Sequence, residues 1–200
     1  MEYLKNIKEK LSGKYGYMGI IHSEGGDLII AHKPDVAPKA YLHEFYRPLN
    51  ESEINQLEIS IMMKIPASYK SLLKECNGMI FFVDTLSLNG LRSNNDRLLI
   101  GNWQPYDLST ANRKDKERIK DAKDSLFFIG RFDWDGSKIY IDSDDGKVYR
   151  CSRKTSKPLN QWKDLQDFIE SEVERLMSIY DEKGDEKDAE KNTCPDPVAL

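Results

Sequence analysis

The stretch Ile65-Pro-Ala-Ser-Tyr-Lys-Ser-Leu-Leu-Lys-Glu-Cys-Asn-Gly78 constrains this chain more than any other, because it holds the start, the stripe and the stop of one helix. Pro66 suits the first helical turn, where its missing N–H has no intrahelical partner anyway. Tyr69, Leu72, Leu73 and Cys76 recur at helical spacing, and Asn77-Gly78 supplies a left-handed C-terminal cap. The segment is a scaffold signal and carries no chemistry.

Other elements gather around it. Tyr3, Leu4, Ile7 and Leu11 share one face of a short helix that ends before Gly13. Tyr17 to His22 and Asp27 to His32 flank Gly25-Gly26 as a hairpin, and Lys33 to Pro48, with its three prolines, reads as a connecting loop. Asn50 with Glu53 three residues on resembles a capping box, followed by the buried stripe Ile54, Leu57 and Ile61. Met79 to Val83 and Leu98 to Trp103 are strand candidates, whereas Ser109 to Lys123 is densely charged and reads as a solvated helix or mobile loop. Leu126 to Arg131 is a strand, and Asp142-Ser-Asp-Asp-Gly146 supplies the turn of a further hairpin. Trp162, Leu165, Phe168, Ile169, Val173 and Leu176 trace a helical stripe that docks across the sheet.

The order Ile-Pro, Tyr, Leu-Leu, Asn-Gly resembles the signature helix of the SUKH superfamily. Asn50 to Glu58 is similar to that family's first helix. Phe127-Phe-Ile-Gly130, Lys138-Ile-Tyr-Ile-Asp142 and Trp162 to Ile169 then follow in the family's order, so the likeness runs from about Asn50 to Met177. It implies an α+β fold, a mostly antiparallel twisted sheet with helices near residues 51–63, 66–76 and 162–177 packed against it. It divides the chain into an N-terminal helix and hairpin extension at 1–49, a SUKH-like domain at 50–180 and an acidic disordered tail at 181–200.

Charge narrows the function classes. The chain has 34 acids and 30 bases, of which the last 20 residues hold seven and three, leaving 27 of each in the body. A balanced body lacks the net basic face that holds nucleic acid or anionic membranes. With 39% hydrophobic residues, no run near the roughly 20 apolar residues of a membrane span, and no basic-then-apolar leader, the sequence predicts a cytoplasmic globular protein. Cys76, Cys151 and Cys194 lack the paired spacing of zinc or redox sites and are expected as free thiols.

No constellation with catalytic spacing emerges, and no cofactor is implied. From Asp142 an EF-hand would need an acid at position five and Glu at twelve, but Gly146 and Arg153 stand there; from Asp133, Lys138 takes the place of the required Gly. Turns are the better reading of both acidic clusters, and no metal is expected. His22, His32 and His43 have no partner at the helical spacing of zinc hydrolases, and Cys76 falls on an apolar helix face where burial raises its pKa. The one basic run, Tyr149 to Lys157, offers Arg150, Arg153, Lys154 and Lys157 to single-stranded nucleic acid, with a solvated strand end as the plainer alternative.

Bacterial members of the SUKH superfamily are mostly immunity proteins that neutralise toxin domains, commonly nucleases, and fungal members regulate cell-wall synthesis by binding other proteins. The resemblance therefore implies a non-enzymatic protein that occludes a cognate toxin, with a homodimer also compatible. The candidate contact residues are Trp103, Tyr106, Asp133, Trp134, Asp135, Asp144 and Asp145, aromatic anchors with acids that would oppose a basic nuclease. The alternatives are a nucleic-acid-binding module built on residues 149–157, a regulatory protein-interaction scaffold, and a small hydrolase.

Overall fold

Short apolar runs separated by turn residues favour pairing between sequence neighbours, and that preference governs the whole sheet. The computed structural model describes residues 1–93 and 103–198. Among them, nine strands form one antiparallel sheet whose spatial order is the sequence order: β1 Ile20–His22, β2 Leu28–His32, β3 Tyr41–Phe45, β4 Met79–Phe81, β5 Leu86–Leu88, β6 Leu126–Phe132, β7 Lys138–Asp142, β8 Val148–Cys151 and β9 Pro158–Trp162. Five helices accompany it: α1 Glu2–Tyr15, α2 Glu51–Ile61, α3 Ala67–Leu73, α4 Leu108–Asn112 and α5 Leu165–Ile179. The α+β class expected from the sequence holds. No helix among the described residues is long and apolar enough to cross a membrane.

Register assigns the two faces, because residues directly opposite one another point the same way. Phe45, Met79 and Leu88 form one cross-strand row, and His43, Phe81, Leu86 and Phe132 form the next. That face receives the apolar stripes of α1, α2, α3 and α5 in one contiguous core. The opposite face carries the row Glu44, Ile80, Ser87, Arg131 and Lys138, and over β6 to β8 it is covered by the segment that includes α4.

The signature helix is shorter than the expected 66–76, with Pro66 as its N-cap and Lys74 as its C-cap, so Cys76, Asn77 and Gly78 belong to the link into β4. The Tyr69 hydroxyl lies within hydrogen-bond reach of the Asn89 and Ile129 carbonyls and ties α3 to the strands beneath it. Gly78 adopts φ +82°, and a Cβ there would stand 2.5 Å from the Leu88 carbonyl oxygen, so the close approach of two chains requires glycine. Before α2, Asn50 accepts from the Glu53 N–H while Glu53 accepts from the Asn50 N–H, completing the expected capping box.

Several expectations need correction. α1 runs through Gly13 to Tyr15, since a glycine on the exposed side costs only about 1 kcal/mol and the fully buried Tyr15 ring offsets it. Lys33 to Pro48 contains β3, because its prolines all flank the strand and leave every ladder N–H intact. β5 and β9 carry no clear sequence signal, both being too short or too polar to alternate clearly, and Trp162 ends β9 instead of opening the last helix, which Asp164 caps. The expected strand at Leu98 to Trp103 lies outside the described residues except for Trp103 itself.

The charged segment Ser109 to Lys123 is not simply solvated. Asn112 donates to the Phe128 carbonyl at 2.7 Å and accepts from the Phe128 N–H at 2.9 Å, while Ile119 and Arg118 cover Phe128. Its polar residues hide burial, because they satisfy backbone groups that apolar side chains could not. The tail also departs from expectation. Residues 181–198 lie against the body, with Thr193 and Cys194 buried and the Val198 N–H donating to the Leu159 carbonyl on the outer edge of β9.

Asn112→Ala leaves both Phe128 backbone groups without their side-chain partner, and we expect it to cost about 2 kcal/mol. Urea unfolding monitored by tryptophan fluorescence measures this; wild-type stability would mean that the segment is not anchored there.

Candidate partner-binding surface

A sequential antiparallel meander sends alternate turns to the same end of the sheet. The β2–β3 loop (33–40), the β4–β5 turn (82–85) and the β6–β7 turn (133–137) therefore share one end, and the β7–β8 turn (143–147) projects from the other. The five residues of β7 alone separate those ends by about 16 Å.

The first end is built on an unusual turn. Phe82, Val83 and Asp84 all take left-handed φ values, +51°, +48° and +78°. A β-branched residue in that region is costly, about 1–3 kcal/mol, and persists only when its surroundings over-determine it. Here the Thr85 N–H and hydroxyl both donate to the Phe82 carbonyl, the Val83 N–H donates to the Leu42 carbonyl, and the Phe82 ring stacks on Tyr180 at 4.2 Å.

Trp134 stands beside this turn with 49% of its surface exposed. It borders a cavity of about 310 Å³ whose wall includes Lys33, Val36, Val83, Asp133, Asp185 and Glu186. The Lys33 ammonium lies 3.1 Å from Asp35 and 2.7 Å from Asp185, so among the described residues that line the cavity the cation is internally neutralised, while Arg153 lies outside it against Gly136. Sequence reasoning missed Val36, Asp185 and Glu186. No local pattern could have found them, since the tail reaches this end only through the tertiary fold.

The other expected contact residues divide. Asp133 is exposed and 3.5 Å from Arg131. Asp135 instead serves the interior: its Oδ2 accepts from Arg150 at 2.6 Å, and its Oδ1 accepts from the Ser137 N–H and the Cys194 thiol. Burial pushes the Asp135 carboxyl up, but those hydrogen bonds outweigh it and hold the group below its ordinary value. The Tyr106 hydroxyl donates to Asp84 under the Arg131 guanidinium, and half-buried Trp103 packs edge-on against Tyr41. Asp144 and Asp145 lie at the far end, where Asp145 accepts from the Tyr149 hydroxyl. The fold thus gathers Asp133 and Trp134 and leaves the second acidic turn apart.

The basic run loses a member. Arg150 is 2% exposed and points into the helix side of the sheet, where it donates to Asp135, Ser137, Asn160 and the Pro195 carbonyl. A strand residue that alternates inward cannot meet a phosphate backbone, so the nucleic-acid reading retains only Arg153, Lys154 and Lys157.

No group of three or more His, Cys, Asp or Glu among the described residues is placed to hold a metal ion. His43 is fully buried against Tyr15 and Phe82, and burial pulls its pKa down to about 3. Burial likewise pushes the Cys76 thiol up to about 12, which leaves it inert as a nucleophile.

A family model described as SMI1 / KNR4 family (SUKH-1) matches residues 48–171. No curated protein matches the chain.

Glu44 offers a pH test of the polar sheet face. Burial pushes its carboxyl up from 4.5 to about 7, opposed by the Tyr46 hydroxyl that donates to it. Between those values the folded chain keeps a proton that the unfolded chain has released, so Glu44 subtracts stability as pH rises through that window. Glu44→Gln removes the effect and should gain about 3 kcal/mol on wild type between pH 4.5 and pH 8. Urea unfolding of both proteins at the two pH values checks this, and parallel profiles would contradict it.

Proposed function

The chain belongs to the SMI1/KNR4 (SUKH-1) family, and on that premise we propose that it is an immunity protein that binds and neutralises a bacterial toxin domain through the end of the sheet bearing Trp134. The observation that carries this reading is a half-exposed indole beside a strained, over-determined turn, sharing a cavity wall with Asp133, Asp185 and Glu186. Trp is a frequent energetic anchor of protein interfaces, and a rim of acids steers a basic partner and disfavours acidic ones. A nuclease cleft, basic because it holds a polyanion, is the matching surface. Neutralisation then needs no reactive groups. A stoichiometric plug needs a rigid shape and a slow off-rate, which the left-handed turn and the Asp135–Arg150 clamp behind it supply.

The test uses the product of a neighbouring toxin-like reading frame. Purified chain should bind it and protect cells that express it, and Trp134→Ala should weaken binding by about 30-fold or more. Asp144→Asn, at the opposite end, should leave affinity within about threefold. Failure of the wild-type chain to protect would refute immunity to that toxin. Full protection by Trp134→Ala would move the interface elsewhere.

A further inference from the structure

The geometry points to a second site, on the polar face of the sheet, that binds a small hydroxyl-bearing phosphomonoester of the sugar-phosphate class. Between α4, the segment after it and strands β5 to β7 lies a cavity of about 510 Å³, within the range of about 300–1,000 Å³ usual for small-molecule sites. Its wall carries four cations, Arg92, Lys116, Arg131 and Lys138, against two carboxylates, Asp107 and Glu117. Asp84 at 3.0 Å and Asp133 at 3.5 Å offset Arg131, so the cation left open to an anion is Lys138. A phosphomonoester, at about −1.5 to −2 near neutral pH, supplies such an anion.

The carboxylates are partly spent. Asp107 accepts from the Ser109 N–H and hydroxyl and from the Thr110 hydroxyl, with the Lys116 ammonium at 3.6 Å. Lys138 is the pivotal cation. It is half-buried, donates to the Glu117 carbonyl at 2.7 Å, and has no carboxylate within ion-pair distance among the described residues. Burial depresses its pKa, with the field of Glu117 only partly opposing, so the site gains by accepting an anion.

Two further groups favour an organic phosphate over a bare anion. Asn89 lines the cavity, is 7% exposed, and its Oδ1 has no partner, which leaves a buried acceptor for a ligand hydroxyl. The Arg131 Nε–H is likewise buried and unpartnered, although the rest of its guanidinium is held by Asp84. This site lies on the sheet face opposite α1, α2, α3 and α5 and does not depend on the partner-binding reading.

Calorimetric titration of the full chain tests it with three probes: ribose 5-phosphate, inorganic phosphate and ribose. Ribose 5-phosphate should bind saturably with one site per chain, inorganic phosphate about tenfold more weakly, and ribose not detectably. Lys138→Gln should weaken ribose 5-phosphate about tenfold, with a folded far-ultraviolet dichroism spectrum retained, while Asp144→Asn changes nothing. Absence of saturable ribose 5-phosphate binding up to about 10 mM would overturn the proposal. So would equal affinity for inorganic phosphate, which marks a surface that takes any anion, or affinity untouched by Lys138→Gln.

Discussion

Sequential antiparallel pairing is the constraint from which the rest of the molecule follows. Once each strand pairs with the next, every second turn emerges at one end and every second residue on one face. The helices claim the face that carries Phe45, Met79, Leu88 and Phe132. The other face keeps Glu44, Ser87, Arg131 and Lys138 in a single row. The β-bulge between Phe128 and Gly130 resets the parity within β6, which brings Gly130 and Phe132 to the helix side, where the unbroken alternation of β7 already places Ile139 and, across from it, Arg150 and Asn160.

The same alternation buries Arg150. An Arg guanidinium is buried only if its donors are paired, and stripping one partner from such a group costs about 3–5 kcal/mol. Arg150 meets the requirement by drawing in Asp135 from the β6–β7 turn and the Pro195 carbonyl from the tail. The same contact fixes Trp134, the neighbour of Asp135, and clamps the C-terminal segment to the body. Arg175 repeats the device one helix away, donating to buried Glu172 and to the Thr193 carbonyl. Acidic composition and lack of helix or strand therefore do not make residues 181–198 a free tail.

The parts of the fold that were legible in the sequence are those decided locally. The capping box at Asn50 and the Asp-Gly hairpin at 142–146 depend on residues within a few positions of one another, whereas the stop expected at Asn77-Gly78 comes earlier, α3 ending at Leu73 with Lys74 as its C-cap. The illegible parts depend on distant partners. Nothing near Asn112 announces that its amide will pair with the Phe128 backbone, and nothing near Arg150 distinguishes it from the solvated cations that follow it. For the candidate surface, Trp134 between two acids is legible in the sequence and its exposure follows from the fold, but the inward duty of Asp135 has no local signal. The separation of Asp144 and Asp145 from that surface follows from strand order, a property of the whole sheet that no single turn encodes.

The proposed function asks for a rigid scaffold at one end of the sheet, and the strain at Phe82 to Asp84 is tolerated because that end is held from three sides. The most direct measurement is amide hydrogen exchange across the chain, alone and in complex with a neighbouring toxin-like gene product. Slowed exchange at residues 33–36, 133–136 and 183–186, with 143–147 unchanged, is the predicted result. Protection confined to 143–147, with the Trp134 end exchanging as in the free protein, would contradict the account.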